Sequence, residues 1–134
     1  MKHLFSVYAR EPGRGSEPGM GTEISQDALR LLGQVHAFVH PSLHDSGGWV
    51  CLEAMGAGRP VLCLDLGGPA IQVTQETGFK VSAYTPDQAV RDMAEAMVQI
   101  TTDRACCLQM GNAAKARVVE SFRWKVRIDQ IAKY

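Results

Sequence analysis

The segment PVLCLDL, residues 60–66, constrains the fold of this chain most, because it carries an unbroken run of apolar residues. Strands covered on both faces carry such runs, whereas strands with one face in water alternate apolar and polar residues. A second apolar segment, VHAFVHPS at 35–42, precedes it and is stopped by Pro41. The two segments predict buried, parallel strands of one sheet.

The residues around these strands predict the connections that parallel strands need. After an SGG turn at 46–48, the segment WVCLEAMGAG predicts a short helix closed by glycines. GGPA at 67–70 predicts a tight turn, and residues 79–82 predict a short third strand. This order of elements predicts an α/β fold with a parallel sheet.

Helices are predicted before and after these strands in the sequence. The first is capped by Thr22 or Ser25 and ends at Gly33. The next follows Thr85, with Pro86 in the first helical position. Its apolar residues recur at helical spacing as far as 100, and two further helices are predicted, from 103 to 121 and from 123 to the end.

Three predicted strands are fewer than the roughly five or six of a complete doubly wound sheet. We therefore expect residues 22–134 to form a partial Rossmann-like domain, a parallel sheet with flanking helices. The preceding segment, 1–21, ends in EPGRGSEPGMG, and its glycines, prolines and charges predict a loop or disorder.

Composition argues against several functional classes. The formal net charge is 0, which predicts no nucleic-acid partner. No apolar run is long enough to span a bilayer, and the N-terminus lacks the apolar core of a signal peptide. The expected location is the cytoplasm, with attachment to a membrane surface as an alternative. The four cysteines form no C-x-x-C pair, so no metal site is expected.

Two carboxylates, Asp45 and Glu53, flank a double glycine in the sequence HDSGGWVCLE. Ligands of open parallel sheets bind where strands end and helices begin. A helix that starts near Gly48 offers backbone N–H groups, and glycine lets a phosphate approach them. Glu53 can accept two hydrogen bonds from a vicinal diol such as that of ribose, and Asp45 can reach hydroxyls beyond the phosphates. The spacing therefore indicates a nucleotide-sugar site.

A second glycine turn, at Gly67, Gly68 and Pro69, follows the next strand and is expected at the same edge of the sheet. A structural interpretation stands beside the ligand-binding one. Asp45 can cap the turn, Glu53 can pair with an arginine such as Arg59, and the glycines can serve turn geometry alone.

The segment PSLHDSGGWVCLEAMGAGRPVLCLDLGGPA resembles the C-terminal domain of retaining glycosyltransferases of the GT-B architecture, the group 1 or glycogen-synthase-like family. The matching positions are Pro41, Ser42, Asp45, Glu53, Ala54, Met55, Gly58, Pro60, Val61, Gly67 and Gly68. The tail ARVVESFRWKVRIDQIAKY also resembles the end of that family. The resemblance covers roughly residues 23–134.

The resemblance implies a role for each candidate residue. Glu53 is expected to hold the donor ribose, and Asp45 the hydroxyls of the donor sugar. The resemblance implies Asp45 and Glu53 as the catalytic pair, and a donor site of His44, Ser46, Gly47, Gly48, Trp49, Val50, Glu53, Gly67, Gly68 and Pro69. The nucleotide sugar is a substrate, and neither a metal nor a cofactor is implied.

Two departures from the family pattern shape the prediction. Asp45 stands where the family usually has Glu, and neighbouring His44 or Ser46 is expected to compensate. The family's N-terminal domain, with its acceptor site, and the basic pair that grips the diphosphate have no counterpart here. We therefore expect the C-terminal fragment of an enzyme that glycosylates a hydroxyl of a sugar or lipid-linked acceptor.

The alternative is a non-catalytic or truncated module that acts only by association with another chain. Half of a doubly wound sheet leaves an open edge and uncovered apolar surface. A homo-oligomer, or a partner that supplies the missing N-terminal domain, would cover both.

Overall fold

The computed structural model describes residues 30–123, 128–129 and 131–132. Residues 30–32 are helical and lead into the sheet. In chain order the elements that follow are β1 (Phe38–His40), α1 (Trp49–Gly56), β2 (Val61–Leu64), α2 (Gly67–Gln72), β3 (Gly78–Val81), α3 (Pro86–Thr102) and α4 (Arg104–Ser121).

The three strands form a parallel sheet in the order β1-β2-β3. Phe38 of β1 lies opposite Val61 of β2, which in turn lies opposite Gly78 of β3. The predicted α/β fold, a partial Rossmann-like parallel sheet with flanking helices, is confirmed. Within the described part of the chain, β2 is the central strand.

The side chains of β2 alternate between two cores, one on each face of the sheet. Val61 and Cys63 join a cluster with residues of α1 and α4, including Met55. Leu62 and Leu64 join a second cluster, packed mainly against α3. Fully burying each Val or Leu side chain contributes about 1.5–3 kcal/mol. The double burial explains why this strand carries an unbroken apolar run.

The segment GGPA forms the start of α2, so the prediction of a tight turn at 67–70 was wrong. Gly67 has a φ of 59° and turns the chain out of the strand. Pro69 then lies in the first turn of the helix, where its missing N–H costs nothing. Val73 N donates to Pro69 O at 2.9 Å, which continues the turn as a helix.

Helix α3 begins as its sequence predicts. Thr85 Oγ1 accepts a hydrogen bond from Gln88 N at 3.3 Å, and Gln88 Oε1 accepts one from Thr85 N at 3.5 Å. These reciprocal bonds form a capping box, and Pro86 follows the cap directly. Asp103 begins α4 in a related way, accepting from Cys106 N at 2.9 Å.

Other predicted segments fall outside the described residues. They are residues 1–21, the caps at Thr22 or Ser25, and most of the helix predicted from 123 to the end. Within the described residues, no helix combines the length and the apolar character needed to cross a bilayer.

Helix α4 packs closely against the end of α1 because two glycines face each other there. A Cβ at Gly111 would overlap the carbonyl oxygen of Gly58, and Gly58 itself has a φ of 73°. By contrast, a Cβ at Gly56 would only reach ordinary contact, 4.0 Å from Val118 Cγ1. The two helical glycines therefore differ in what a methyl group would meet.

We expect Gly111→Ala to destabilise the protein by about 1–3 kcal/mol, since overpacking outweighs the gain in helix propensity. The matched variant Gly56→Ala should be neutral or stabilising by up to about 1 kcal/mol. Urea denaturation measures both free energies of unfolding. Equal effects of the two substitutions would contradict the close approach of α4 to Gly58.

Candidate functional site

Two loops meet at the carboxyl edge of the sheet, where β1 and β2 end. The β1–α1 loop covers residues 41–48, and the second connection joins β2 to α2. Gly68 N donates a hydrogen bond to Asp45 O at 2.9 Å, and Gln72 Nε2 donates one to Gly47 O at 2.6 Å. The two predicted glycine turns are therefore held together as one structure.

The Asp45 carboxylate orders the β1–α1 loop. Its Oδ1 accepts hydrogen bonds from Gly48 N at 2.7 Å and Gly47 N at 3.1 Å. Its Oδ2 lies 2.8 Å from His40 Nε2, at the end of β1. The Gly48 N–H is the largest cause of a lowered pKa at Asp45, and His40 lowers this pKa further. The interpretation that Asp45 caps the turn is confirmed by these contacts.

Glycine at position 48 is required by both conformation and space. Its φ is 59°, and a Cβ there would lie 2.5 Å from Gln72 Oε1. At Gly68, a Cβ would lie 2.6 Å from the carbonyl oxygen of Ser46. These glycines let the backbones of the two loops approach each other, and the Gln72 side chain packs against Gly48 at the start of α1.

Helix α1 opens at this edge, with Gly48 as its N-cap. Gly48 O accepts from Cys51 N at 3.0 Å and from Leu52 N at 3.2 Å. Trp49 and Val50 are the first two residues of the helix and precede these bonds. Because Gly48 N–H is bonded to Asp45, it is not available as a backbone donor to a diphosphate.

Glu53 lies half-buried on α1, one turn after Trp49. Burial raises the pKa of its carboxyl group. The alternative pairing with Arg59 is absent: Arg59 Nε donates to Leu32 O at 2.8 Å and Nη2 to Gly33 O at 2.9 Å. Within the described residues, no hydrogen bond or ion pair holds the Glu53 carboxylate. A half-buried carboxylate of this kind is suited to a ligand that donates hydrogen bonds.

A pocket of about 230 Å³ lies between α1, α2 and the end of α4. Its lining residues are Ser46, Gly47, Trp49, Leu52, Gly68, Ile71, Gln72 and Phe122. Four predicted site residues thus share this pocket, whereas Val50 and Glu53 are not among its lining residues. His44 is exposed on the loop, Pro69 is buried, and Gly67 is exposed.

Sequence reasoning missed Gln72 and His40. Gln72 is only 5% exposed, and within the described residues its Oε1 has no hydrogen-bond partner. Its one signal in the sequence is a lone amide in the apolar stretch AIQV. His40 follows two buried strand residues and contacts Asp45, a pairing that the fold of the β1–α1 loop creates.

Comparison with known proteins shows the family of the chain. Residues 20–103 match the model of a family described as Glycosyl transferases group 1. The chain belongs to this family. The α/β sheet and the paired glycine turns described above are thus those of a group 1 glycosyl transferase domain.

Two curated proteins illustrate the relationship. The domain is 36% identical over 111 residues to D-inositol 3-phosphate glycosyltransferase of Streptomyces avermitilis, covering 80% of this chain and 22% of that protein. It is 30% identical over 107 residues to sucrose synthase 4 of Oryza sativa subsp. japonica, covering 78% of this chain and 13% of that protein. The chain therefore spans between 13% and 22% of the length of these relatives.

Solved structures share the fold of the group 1 glycosyl transferase domain. A S. aureus TarM variant in complex with Fondaparinux, alpha-GlcNAc-glycerol and UDP superposes with a TM-score of 0.69 at 18% identity. This match covers 81% of the present chain and 22% of TarM. A second TarM structure gives a TM-score of 0.66 at 19% identity, over 78% of this chain and 20% of that one.

The lowered pKa of Asp45 predicts a pH dependence of stability. A carboxylate with a depressed folded-state pKa stabilises the fold fully above its unfolded value, here 3.8, and this stabilisation is lost as the pH falls through the folded value. We expect Asp45→Asn to cost about 0.5–1.5 kcal/mol at neutral pH. The difference in the free energy of unfolding between this variant and wild type should close below pH 3.8. Urea midpoints across this range measure it, and a gap independent of pH would contradict the ionised loop.

The raised pKa of Glu53 predicts a pH dependence of stability opposite in sign to that of Asp45. Its stabilising effect is present below the unfolded value of 4.5 and is lost as the pH rises through the folded value, so ionised Glu53 costs stability at neutral pH. We expect Glu53→Gln to raise the free energy of unfolding at neutral pH, by less than about 1 kcal/mol. Below pH 4.5 the difference should vanish. Glu95→Gln, at an exposed carboxylate on α3, is the control and should leave stability unchanged.

Proposed function

We propose that this chain binds the nucleotide-sugar donor of a glycosyl transfer reaction at the carboxyl edge of its sheet. The observation that carries the proposal is the Glu53 carboxylate on α1, half-buried and without a protein partner in the described residues. A stable core gains nothing from such a carboxylate, whereas a ligand with a diol would satisfy it.

The diphosphate of the donor would lie at the start of α1. Backbone N–H groups at the start of a helix, together with the helix dipole, favour negative charge there. Gly48 adds no side chain of its own, and the Gln72 amide packs against it. These donors would also stabilise the nucleoside diphosphate as it leaves, so the proposed reaction requires no metal ion on the diphosphate.

The ribose of the donor would contact Glu53. Each carboxylate oxygen can accept a hydrogen bond from one hydroxyl of a vicinal diol, and bonds to a charged acceptor are the stronger ones. The diol would also relieve the cost of the partly desolvated charge. The ionised Glu53 carboxylate therefore lowers the stability of the free chain but would strengthen the binding of the donor.

Asp45 would support the donor sugar mainly indirectly, by holding the β1–α1 loop in place. A carboxylate has about four lone-pair positions, and three are already used by Gly47, Gly48 and His40. The remaining position, on Oδ2, leaves room for one sugar hydroxyl. The shorter Asp side chain is therefore suited to holding the loop and contacting a single hydroxyl.

The reaction we propose moves the glycosyl group to an acceptor hydroxyl with retention of configuration, in a cleft between two domains of the GT-B type. Support comes from the names of the relatives, a glycosyltransferase and a sucrose synthase, and from UDP in the TarM complex. The acceptor, a sugar or a lipid-linked group, would bind to a second domain. The cytoplasmic location stays a prediction.

The open edge of β1 favours a second candidate, a module that acts by association with another chain. Within the described residues β1 pairs only with β2, so its other edge offers unpaired backbone groups. A partner or a second copy that adds a strand there would complete the sheet. Analytical ultracentrifugation distinguishes a self-associating chain from a monomer.

The test of the donor site is isothermal titration of the chain with UDP, ADP and GDP. We expect saturable binding with preference for one base. Glu53→Ala should weaken it by about tenfold or more, because two hydrogen bonds to a charged group are lost.

Glu95→Ala is the matched control and should bind as the wild type does. Equal affinity of Glu53→Ala and wild type would exclude the ribose contact. A folded wild-type chain that binds none of the three nucleotides would contradict the proposed function.

A further inference from the structure

A second cavity, of about 290 Å³, lies at the opposite edge of the sheet. Gly58 and Arg59 precede β2, and His36 precedes β1, so the cavity is at the amino ends of the strands. Its lining residues are His36, Gly58, Arg59, Ile100, Thr101, Arg104, Cys107 and Leu108. We call it the basic cavity; it shares no residue with the candidate donor site.

The basic cavity has cationic side chains and no carboxylate among its eight lining residues. Arg59 is held in place by its bonds to Leu32 O and Gly33 O, which use two of its five N–H donors. Three donors thus remain for a ligand. Arg104 is exposed, and within the described residues no hydrogen bond or ion pair holds its guanidinium.

Two helix ends line the cavity. Arg104 and Cys107 belong to the first turn of α4, whose dipole favours anions, and Ile100 and Thr101 belong to the last turn of α3, whose dipole opposes them. The charge of Arg59 also reaches Cys107, where it opposes the rise in the thiol pKa that burial causes. Asp103, the residue before Arg104, is the N-cap of α4 and accepts a hydrogen bond from Cys106 N.

The dimensions of the basic cavity restrict the ligand. Small-molecule pockets typically enclose about 300–1,000 Å³, so this one suits a ligand at the small end of that range. Ile100 and Leu108 add an apolar wall beside the two arginines. The guanidinium group of arginine matches the geometry of phosphate and can donate two parallel hydrogen bonds to two of its oxygens.

We propose that the basic cavity binds a phosphate group, either inorganic phosphate or a small phosphate monoester, between Arg59 and Arg104. This site is separate from the nucleotide-sugar site, and it does not depend on the proposed function. Phosphate bound there leaves the donor edge open, so the two ligands bind without competition.

The test is a phosphate titration of the 15N-labelled full chain, followed by two-dimensional NMR. We expect saturable shifts of the amides of Gly58, Arg104 and Cys107, which sodium chloride at matched ionic strength does not reproduce. Arg104→Gln should weaken phosphate binding about tenfold, and Arg104→Lys should weaken it less because it keeps the charge. Arg91→Gln, at an exposed arginine on α3, is the control and should have no effect.

Further titrations separate the sources of the phosphate and the two sites. Tighter binding of glycerol 3-phosphate than of inorganic phosphate would identify a monoester as the ligand, and the reverse order would identify the free anion. Saturating UDP should leave the phosphate affinity unchanged.

Three results would overturn the proposal. They are shifts confined to the amides of Trp49 and Val50, shifts that sodium chloride reproduces, and an Arg104→Gln chain with normal dispersion and unchanged affinity. Spectral dispersion shows directly whether each variant is folded, and Arg104→Lys provides the second variant if the Gln substitution disturbs the start of α4.

Discussion

The candidate site depends on one carboxylate, that of Asp45. Its oxygens receive the amides of Gly47 and Gly48 and the ring of His40, and the backbone carbonyl of the same residue receives Gly68 N. One residue thus ties the end of β1 to the start of α1 and to the start of α2. The loops could not approach each other this closely with side chains at Gly48 and Gly68. The ordered loops at the carboxyl edge of the sheet therefore depend on the Asp45 carboxylate, which its hydrogen-bond donors keep ionised.

The two acidic residues of the motif have opposite relations to stability. Asp45 is surrounded by donors, which lower its pKa, whereas Glu53 is partly desolvated, and its pKa is raised. Groups whose environment disfavours their charge are typical of functional sites, because the ligand rather than the fold supplies the missing partner. By this criterion Asp45 is mainly an organiser of the loop, and Glu53 is the stronger candidate for direct contact with a ligand.

Parallel strands give the domain two distinct edges. The carboxyl edge has helix starts, glycines and carboxylates, and the amino edge has the basic cavity with Arg59 and Arg104. The central strand β2, buried on both faces, separates the two edges by its full length and keeps them in one rigid core.

The sequence by itself determined the fold class and indicated where the candidate site lies. The apolar run at 61–64 predicts a strand covered on both faces, Thr85 and Pro86 predict the start of α3, and the spacing of Asp45, Gly48 and Glu53 predicts a site at a helix start. These features are local, because they depend on periodicity and on capping within a few residues. Only the tertiary structure decided which partners the site residues have. Gln72 lies 25 residues from Gly47, its hydrogen-bond partner, and Arg59 lies 26 and 27 residues from the carbonyls that take it away from Glu53. Such partners are chosen by the packing of helices on the sheet, which no short stretch of sequence encodes.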